Sequence, residues 1–528
     1  MTWETFQSYF LDLSPLPLSL DTSKVFFQCS FFESMQPKIA QALAQMADLE
    51  AGSIANPDEH RQVGHYWLRN FNLAPNEPIR RLLQENKQKR KTFVQSIRNG
   101  TIQSPQGPFQ NLLCIGIGGS ALGPQLLTDA LVDGANGLQT FFLDNTDPDG
   151  VARLRNRLDP HWDRTLVLVT SKSGSTPEPR NGLMEIRAIF QEQRLHFPSH
   201  AVAITCEGSP LDEVAKGEHW LASFPMWDWV GGRTSLLSHV GLLPAALQGI
   251  DTDALLQGAA AMDTLTRRTY TFQNPALMMA LAWYAGTDGC GKRNLVFLPY
   301  KDTLSLFPKY LQQLIMESLG KKEDVSGRIV HQGLTVYGNK GSTDQHAYVQ
   351  QLRDGLNDAL VTFLEVQAAT HPSSVHVESD LTSNDFLEGF FLGTRAALTE
   401  VQRPSITITL SQVNAYTLGA LVALFERTVG FYATFIGVNA YHQPGVEAGK
   451  KAAQRYLHLQ QQLLTYLRTH REQSFTAEDL AHALLLPEQT EEIFKLLEYL
   501  TANQRLTRNN ASSLTQRTYQ IHCEGDVA

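Results

Sequence analysis

Two stretches of this chain combine hydroxyls, glycines and a helix start. Residues 166–178 read L-V-L-V-T-S-K-S-G-S-T-P-E. The hydroxyls of Ser171, Ser173, Ser175 and Thr176, the Lys172 ammonium and the N–H groups freed by Gly174 stand just ahead of helical spacing over residues 181–190. Such donors at a helix N-terminus suit a dianion, with phosphate the obvious guest. An ordinary serine-rich turn with a helix cap has the same composition. Residues 116–124, G-I-G-G-S-A-L-G-P, form a second candidate: the glycines, Gly119 among them, let backbone approach an anion, and Ser120 adds a hydroxyl.

Acid–base and charge-stabilising candidates lie further along. Gly231 and Gly232 precede Arg233, a permanently charged fork suited to an oxyanion, though a surface arginine after a turn reads the same way. Glu317 follows Gln313 by four residues beside an apolar stripe (Tyr310, Leu311, Leu314, Ile315). A carboxylate there can gain the proton affinity of a general base, whereas most helical glutamates are merely solvated. His346, ending the polar loop N-K-G-S-T-D-Q-H, is an acid–base group or a helix-start histidine. Lys450 begins another helical pattern after A-Y-H-Q-P-G-V-E-A-G. His376-x-Glu378 is a single weak pair without a third ligand at a suitable spacing, so no metal site is expected.

The elements that must hold these residues alternate strand and helix. Residues 166–170 have the unbroken apolar and β-branched character of a strand buried on both faces. Residues 112–115, 140–143 and 201–205 read as its neighbours, which predicts a doubly wound parallel sheet with its ligand at the switch point. The first loop also fits the dinucleotide pattern G-x-G-x-x-A, and Asp144 ends the next strand where a ribose-binding acid would lie. A nicotinamide-dependent dehydrogenase is therefore a rival reading. Against it, a dinucleotide fold has no special use for the hydroxyl-rich loop, and Ser120 makes the two loops look like a clamp for one phosphate. From about residue 267 the alternation resumes, with a strand over 294–298, a helix over 306–319, a strand over 405–410 and a long apolar helix over 418–435, indicating a second unit of similar kind. The first hundred residues read as mainly helical, without a chemical cluster, and suit a packing role.

Composition narrows the class. At about 150 residues per domain, 528 residues suggest three or four structural units. With 42% apolar and 18% charged residues the chain is an ordinary soluble globular protein, and its net charge of −9 gives no general reason to expect nucleic acid or an anionic membrane as partner. Cys29, Cys114, Cys206, Cys290 and Cys523 are far apart and lack C-x-x-C spacing, the usage of reduced thiols in a cytosolic protein. The first twenty residues have neither a basic start nor a long apolar core, so no export signal is expected. The most apolar stretch, 418–438, is broken by Glu426 and Arg427. A soluble cytoplasmic protein is expected.

Taken in order, residues 116–124, residues 171–176, Gly231 with Gly232 and Arg233, the segment Q-Q-L-I-M-E-S followed by Gly320 and Lys321, Gln345 with His346, and Q-P-G-V-E with Lys450 resemble the successive signatures of the phosphoglucose isomerase family. The resemblance covers about residues 100–450. It implies an α/β fold of two doubly wound parallel-sheet domains of the sugar-isomerase (SIS) type, residues 101–265 and 266–450. A helical N-terminal extension (1–100) and a C-terminal helix with a small appendage (451–528) flank them. It also implies a homodimer that interconverts glucose 6-phosphate and fructose 6-phosphate in glycolysis and gluconeogenesis, with no cofactor and no metal. By the same resemblance, Ser120, Ser171, Ser173 and Thr176 take the phosphate in a pocket shaped by Gly119, Lys172, Gly174 and Ser175. Glu317 is the base that moves a proton between C2 and C1 through a cis-enediolate, Arg233 stabilises that enediolate, and Gln313 helps hold the substrate. His346, from the partner subunit, and Lys450 handle ring opening. Thr234, Leu319 and His442 depart from the family pattern beside these residues, which bears on positioning more than on the reaction.

Residues 474–528 suggest a helix, helix, hairpin arrangement like a small winged-helix module, and raise a phosphosugar-sensing DNA-binding regulator as an alternative. Residues 451–528 hold eight basic and nine acidic side chains, however, whereas a DNA reader should be clearly basic. A sensor would also have no need for Glu317, His346 and Lys450 together. The tail is read as a structural or contact appendage.

Overall fold

Strand Thr165–Thr170 is buried along its whole length, as its unbroken apolar and β-branched sequence requires. The computed structural model describes residues 2–132 and 137–521, apart from the side chains of residues 446–448 and 450. In it this strand is central to a five-stranded sheet ordered Gln139–Leu143, Asn111–Ile115, Thr165–Thr170, Ala201–Thr205, Ala222–Pro225. Every pairing in the sheet is parallel. The chain leaves Asn111–Ile115 toward one neighbour and returns on the other side, so the order reverses between the two inner strands. Ile115 pairs with Val169, and the loops that follow both strands therefore open level with each other into one crevice. Apolar side chains cover both faces, with Val167, Ile186 and Phe190 in one layer and Leu112, Leu166 and Phe224 in the other.

The second sheet has six strands, ordered Phe10–Asp12, Leu18–Asp21, Ser405–Leu410, Ala359–Val366, Asn294–Pro299, Val336–Gly338. The last four are mutually parallel. The pair of sheets agrees with the expected doubly wound α/β class. The first hundred residues depart from a purely helical extension: besides the helices Phe31–Glu50 and Glu77–Arg98, they add two antiparallel strands to the edge of the second sheet, Leu20 pairing with Ile408.

Helix Ala415–Ile436 is the one described helix long and apolar enough to cross a membrane, yet 89% of its apolar window is buried inside the molecule. It lies against helix Thr252–Thr266 at backbone contact: a Cβ on Gly258 would stand 1.8 Å from the Tyr416 carbonyl oxygen, and one on Gly419 would stand 2.0 Å from that of Leu255. Glu426 and Arg427, which interrupt its apolar run, are tied into a buried ionic cluster. Arg69 pairs with Glu426 and, at 2.8 Å, with Asp263; Arg427 pairs with Glu50 at 2.7 Å and with Asp263 at 3.2 Å. Arg267 reaches Glu50 at 2.8 Å, and the Arg427 guanidinium lies 4.0 Å from the centroid of the Tyr66 ring. The cluster fastens the N-terminal segment to both helices.

The chain divides into two compact units, Met1–His442 and Gln443–Ala528. The second holds the helices Pro444–Thr469, Ala477–Ala483 and Thr490–Ala502, then an antiparallel pair, Leu506–Arg508 with Tyr519–Ile521. Leu463, Leu467, Leu480, Ile493, Leu497 and Tyr519 form its core. A reciprocal cap between Thr476 and Asp479 starts its second helix.

Candidate active site

The crevice between the two inner strands of the first sheet is lined by two helix starts. Helix Gly119–Leu131 begins after Gly118, which sits at φ +57° and has no side chain to cap it; helix Pro177–Glu192 begins after Thr176, whose hydroxyl caps nothing. In the first, Ser120, Ala121 and Leu122 already donate to the Ile117 and Gly118 carbonyls, and in the second Pro177 and Pro179 carry no N–H while Arg180 donates to the Thr176 carbonyl, so each start keeps one N–H, of Gly119 and of Glu178, with the positive end of the helix dipole for an anion. Gly174 turns the intervening loop at φ +69°, where a Cβ would stand 2.7 Å from the backbone nitrogen of Leu211. Ser173 lies 3.3 Å from Thr176 and accepts from the Ser175 hydroxyl at 3.1 Å, so these hydroxyls cluster at the exposed rim. Ser171 is buried below them, and its hydroxyl has no partner among the described residues. An oxyanion in the crevice would satisfy that group.

Lys172 differs from the expectation that its ammonium stands among the hydroxyls. It donates instead to the carbonyls of Asp228 and Val230 at 2.9 and 2.8 Å, tying the phosphate-type loop to the turn before Arg233. Burial lowers its proton affinity, and the Arg61 field adds to the effect. Gly119 makes the other connection. A Cβ there would lie 2.0 Å from the Gly232 carbonyl oxygen, so only glycine permits the two loops to meet. The Gln313 amide faces this loop as well, 3.0 Å from where a Cβ on Gly118 would stand.

Arg233 is 5% exposed, and its Nη1 stands 3.2 Å from Glu317 Oε2. Its Nη2 donates to the carbonyls of Ala440 and His442 at 3.0 and 2.8 Å. Burial lowers its proton affinity and the Glu317 carboxylate partly restores it. The helix that presents Glu317 is not the regular α-helix expected over 306–319. It is α-helical over Phe307–Leu311 and π-helical over Gln312–Glu317, a wider turn that lines residue i up with i+5 and is frequent at functional sites. Lys321 follows immediately. Its ammonium donates to the Glu317 carbonyl at 2.7 Å and to the His442 carbonyl at 3.0 Å. Burial and then the Arg233 charge bring its pKa down to about 8, against the pull of Glu317 and Asp58.

The structure thus brings Gly119, Ser120, Ser171, Ser173, Gly174, Ser175, Thr176, Arg233, Gln313 and Glu317 to one crevice and its rim, with Lys172 behind it. His346 ends the turn Thr343–His346, and its exposed ring makes no hydrogen bond or ion pair with Glu317 or any other described residue. Its neighbours are fixed: Asp344 is buried and accepts from the backbone of Asn339 and Lys340, while Gln345 donates to the Phe390 carbonyl and to the Tyr300 hydroxyl. The Lys450 side chain lies outside the described residues. Asp144, the acid of the dinucleotide reading, accepts from Gln125 of helix Gly119–Leu131 at 2.8 Å.

Sequence reasoning missed three contributors. Lys321 was part of a motif without a role. The carbonyls of Ala440 and His442 are invisible as residue types. Residues 56–65, read as packing, stand beside the site: Asn56, Glu59, Arg61 and His65 share a cavity with Arg233, and Asn56 both donates to the Tyr441 carbonyl and accepts from Asn439. Only the polar run N-P-D-E-H-R-Q at residues 56–62 could have hinted at them.

Known proteins carry the same arrangement of sequence and fold. Residues 34–470 match the family profile of phosphoglucose isomerase. The chain is 53% identical over 504 residues, 95% of each chain, to glucose-6-phosphate isomerase of Cyanothece sp., and 52% identical over 502 residues, again 95% of each, to that of Geobacter sp.. The crystal structure of a glucose-6-phosphate isomerase from Chlamydia trachomatis superposes with a TM-score of 0.78 at 26% identity, covering 87% of this chain and 91% of that one. Matched by the profile over most of its length and sharing about half its residues with such relatives, the chain belongs to the phosphoglucose isomerase family.

Proposed function

We propose that this protein interconverts glucose 6-phosphate and fructose 6-phosphate in the cytoplasm, with Glu317 as the base. The observation that carries the assignment is the Glu317 carboxylate held 3.2 Å from a buried arginine, next to two helix N-termini that no side chain caps. The phosphate rests on Ser120, Ser171, Ser173 and Thr176, in a pocket shaped by Gly119, Lys172, Gly174 and Ser175, while Gln313 helps hold the sugar chain. His346 and Lys450 move the proton between O5 and O1 that opens the ring. Glu317 then takes the C2 proton, and charge develops on O1 facing Arg233. The O2 hydroxyl proton passes to O1, and Glu317 returns its own proton to C1, giving the ketose. A cation already fixed by two carbonyls costs no reorganisation as that charge forms.

His346 is supplied by the second copy in a homodimer. Its outward ring on a rigid turn, unpartnered among the described residues, supports this reading. The test is conversion of fructose 6-phosphate to glucose 6-phosphate by purified protein in the presence of a chelator, wild type against Glu317→Gln. Activity that survives chelation and drops about a thousandfold in the variant supports proton transfer by Glu317. An equally active variant means another base, and an inactive wild type means a phosphosugar-binding protein.

A further inference from the structure

A groove of about 390 Å³ runs beside helix Glu77–Arg98, walled by Val94 and by Ala246 of helix His239–Leu247, with Thr252 at one end. It shares no lining residue with the crevice around Arg233. Three cationic residues, Arg90, Lys91 and Arg98, line it. Arg90 is the unusual one. It is 5% exposed, and its Nη2 is buried with no hydrogen-bond partner among the described residues. The carboxylate whose field reaches it, Asp253, is already engaged by Lys87 at 2.8 Å and by Lys91. Beside it the fully buried His239 ring is held neutral by burial and by the Arg90 and Lys89 charges, and an imidazole offers no counter-charge in any state.

A guanidinium stripped of water and left without a counter-charge is costly, and an anion entering from solvent removes that cost. We propose that this groove is a ligand site for a small organic oxyanion, its charged group pairing with the Arg90 fork and its apolar body lying on Val94 and Ala246. The groove is within the size range of small-molecule sites, and a guanidinium fork matches phosphate and carboxylate alike.

The test is thermal unfolding of the full chain, wild type against Arg90→Met, in chloride buffer and then with inorganic phosphate or benzoate added. Phosphate binding in the crevice is common to both proteins and cancels. The wild-type midpoint rises more than that of the variant, by about a degree or more, with at least one probe. A difference with phosphate identifies a phosphorylated ligand, and one with benzoate a carboxylate. Equal rises with both probes overturn the proposal. Should Arg90→Met not fold, Arg98→Gln on the exposed rim replaces it, and the same difference decides.

Discussion

Arg233 and Lys321 donate to one acceptor, the backbone carbonyl of His442, at 2.8 and 3.0 Å. Lys321 also bonds the carbonyl of Glu317 itself, so Glu317 and Arg233 are joined through the main chain as well as through their ion pair. The 439–442 segment that offers these carbonyls is braced in turn by Asn56 and Asp58, which hold the Asn439 amide. The geometry of the Arg233–Glu317 pair thus depends on Lys321 and on the 439–442 segment, itself held by Asn56 and Asp58 from nearly four hundred residues away in sequence.

Lys321→Met is therefore expected to lower kcat about ten- to a hundredfold while changing KM little, because the phosphate loops are untouched. The pH profile separates positioning from bulk stability. With a pKa of about 8, among the charges of Arg233, Glu317 and Asp58 and beside His442, Lys321 loses its own charge above that pH. Wild-type kcat/KM should fall through this limb, and the variant, lacking the cation at every pH, should lack it. The stability sign is the reverse. Between about 8 and its usual 10.5 the unfolded chain binds more protons, so this residue's contribution to stability rises with pH across that window. A variant with the wild-type alkaline limb would remove Lys321 from this role.

Gly119→Ala tests the contact between the phosphate loop and the arginine loop. The added methyl would meet backbone, at 2.0 Å from the Gly232 oxygen and 2.3 Å from its carbon, so no side-chain rotation relieves it. The loops must separate, at a cost of roughly 1–3 kcal/mol, and Arg233 moves relative to the bound phosphate. Activity should fall by about a hundredfold or more, with a modest drop in unfolding midpoint measured by circular dichroism. Parent-like kinetics would mean that the loops need not touch.

Glu50 anchors the buried ionic cluster. Burial alone would raise its pKa, but Arg427 and Arg267 outweigh it and hold the carboxyl at about 2. A carboxyl depressed from 4.5 to about 2 contributes stability above pH 4.5, on the order of 3 kcal/mol, which is lost as pH falls from 4.5 toward 2. Glu50→Gln should accordingly unfold at lower urea concentration than wild type at pH 7, with the gap narrowing at pH 3. A gap independent of pH would show that the loss is one of packing.

The two glycine- and serine-rich loops were legible because buried strands announce themselves by unbroken apolar and β-branched runs, and two such loops at the ends of neighbouring strands point to an anion clamp where either one alone reads equally as a capped turn. The residues that hold Arg233 and Glu317 were not. Nothing in the residue types separates an α-turn from the π-turn of residues 312–317, and a buried Lys321 looks like any solvated lysine. Strand Leu18–Asp21 is only four residues long, and its partner, Ser405–Leu410, lies nearly four hundred residues further on, so no local pattern marks it. Glu426 and Arg427 read in sequence only as interruptions of an apolar run; their partners Glu50, Arg69 and Asp263 come from three separate places, the end of helix Phe31–Glu50, the residue after the turn His65–Leu68, and helix Thr252–Thr266.

The position of His346 leads to a test of shared sites. Buried Asp344 and the tethered Gln345 fix the turn Thr343–His346, yet the ring points to solvent. If two copies exchange this histidine across a two-fold axis, each site combines Glu317 of one with His346 of the other. Glu317→Gln and His346→Ala should then each be nearly inactive alone on cyclic substrate. When they are mixed, dissociated and reassociated, half of the dimers are hybrids with one intact site, so activity should recover to about a quarter of wild type. A histidine acting within its own chain leaves both hybrid sites defective. Mixed dimers demonstrated by differential tagging but without recovered activity would therefore refute the exchange.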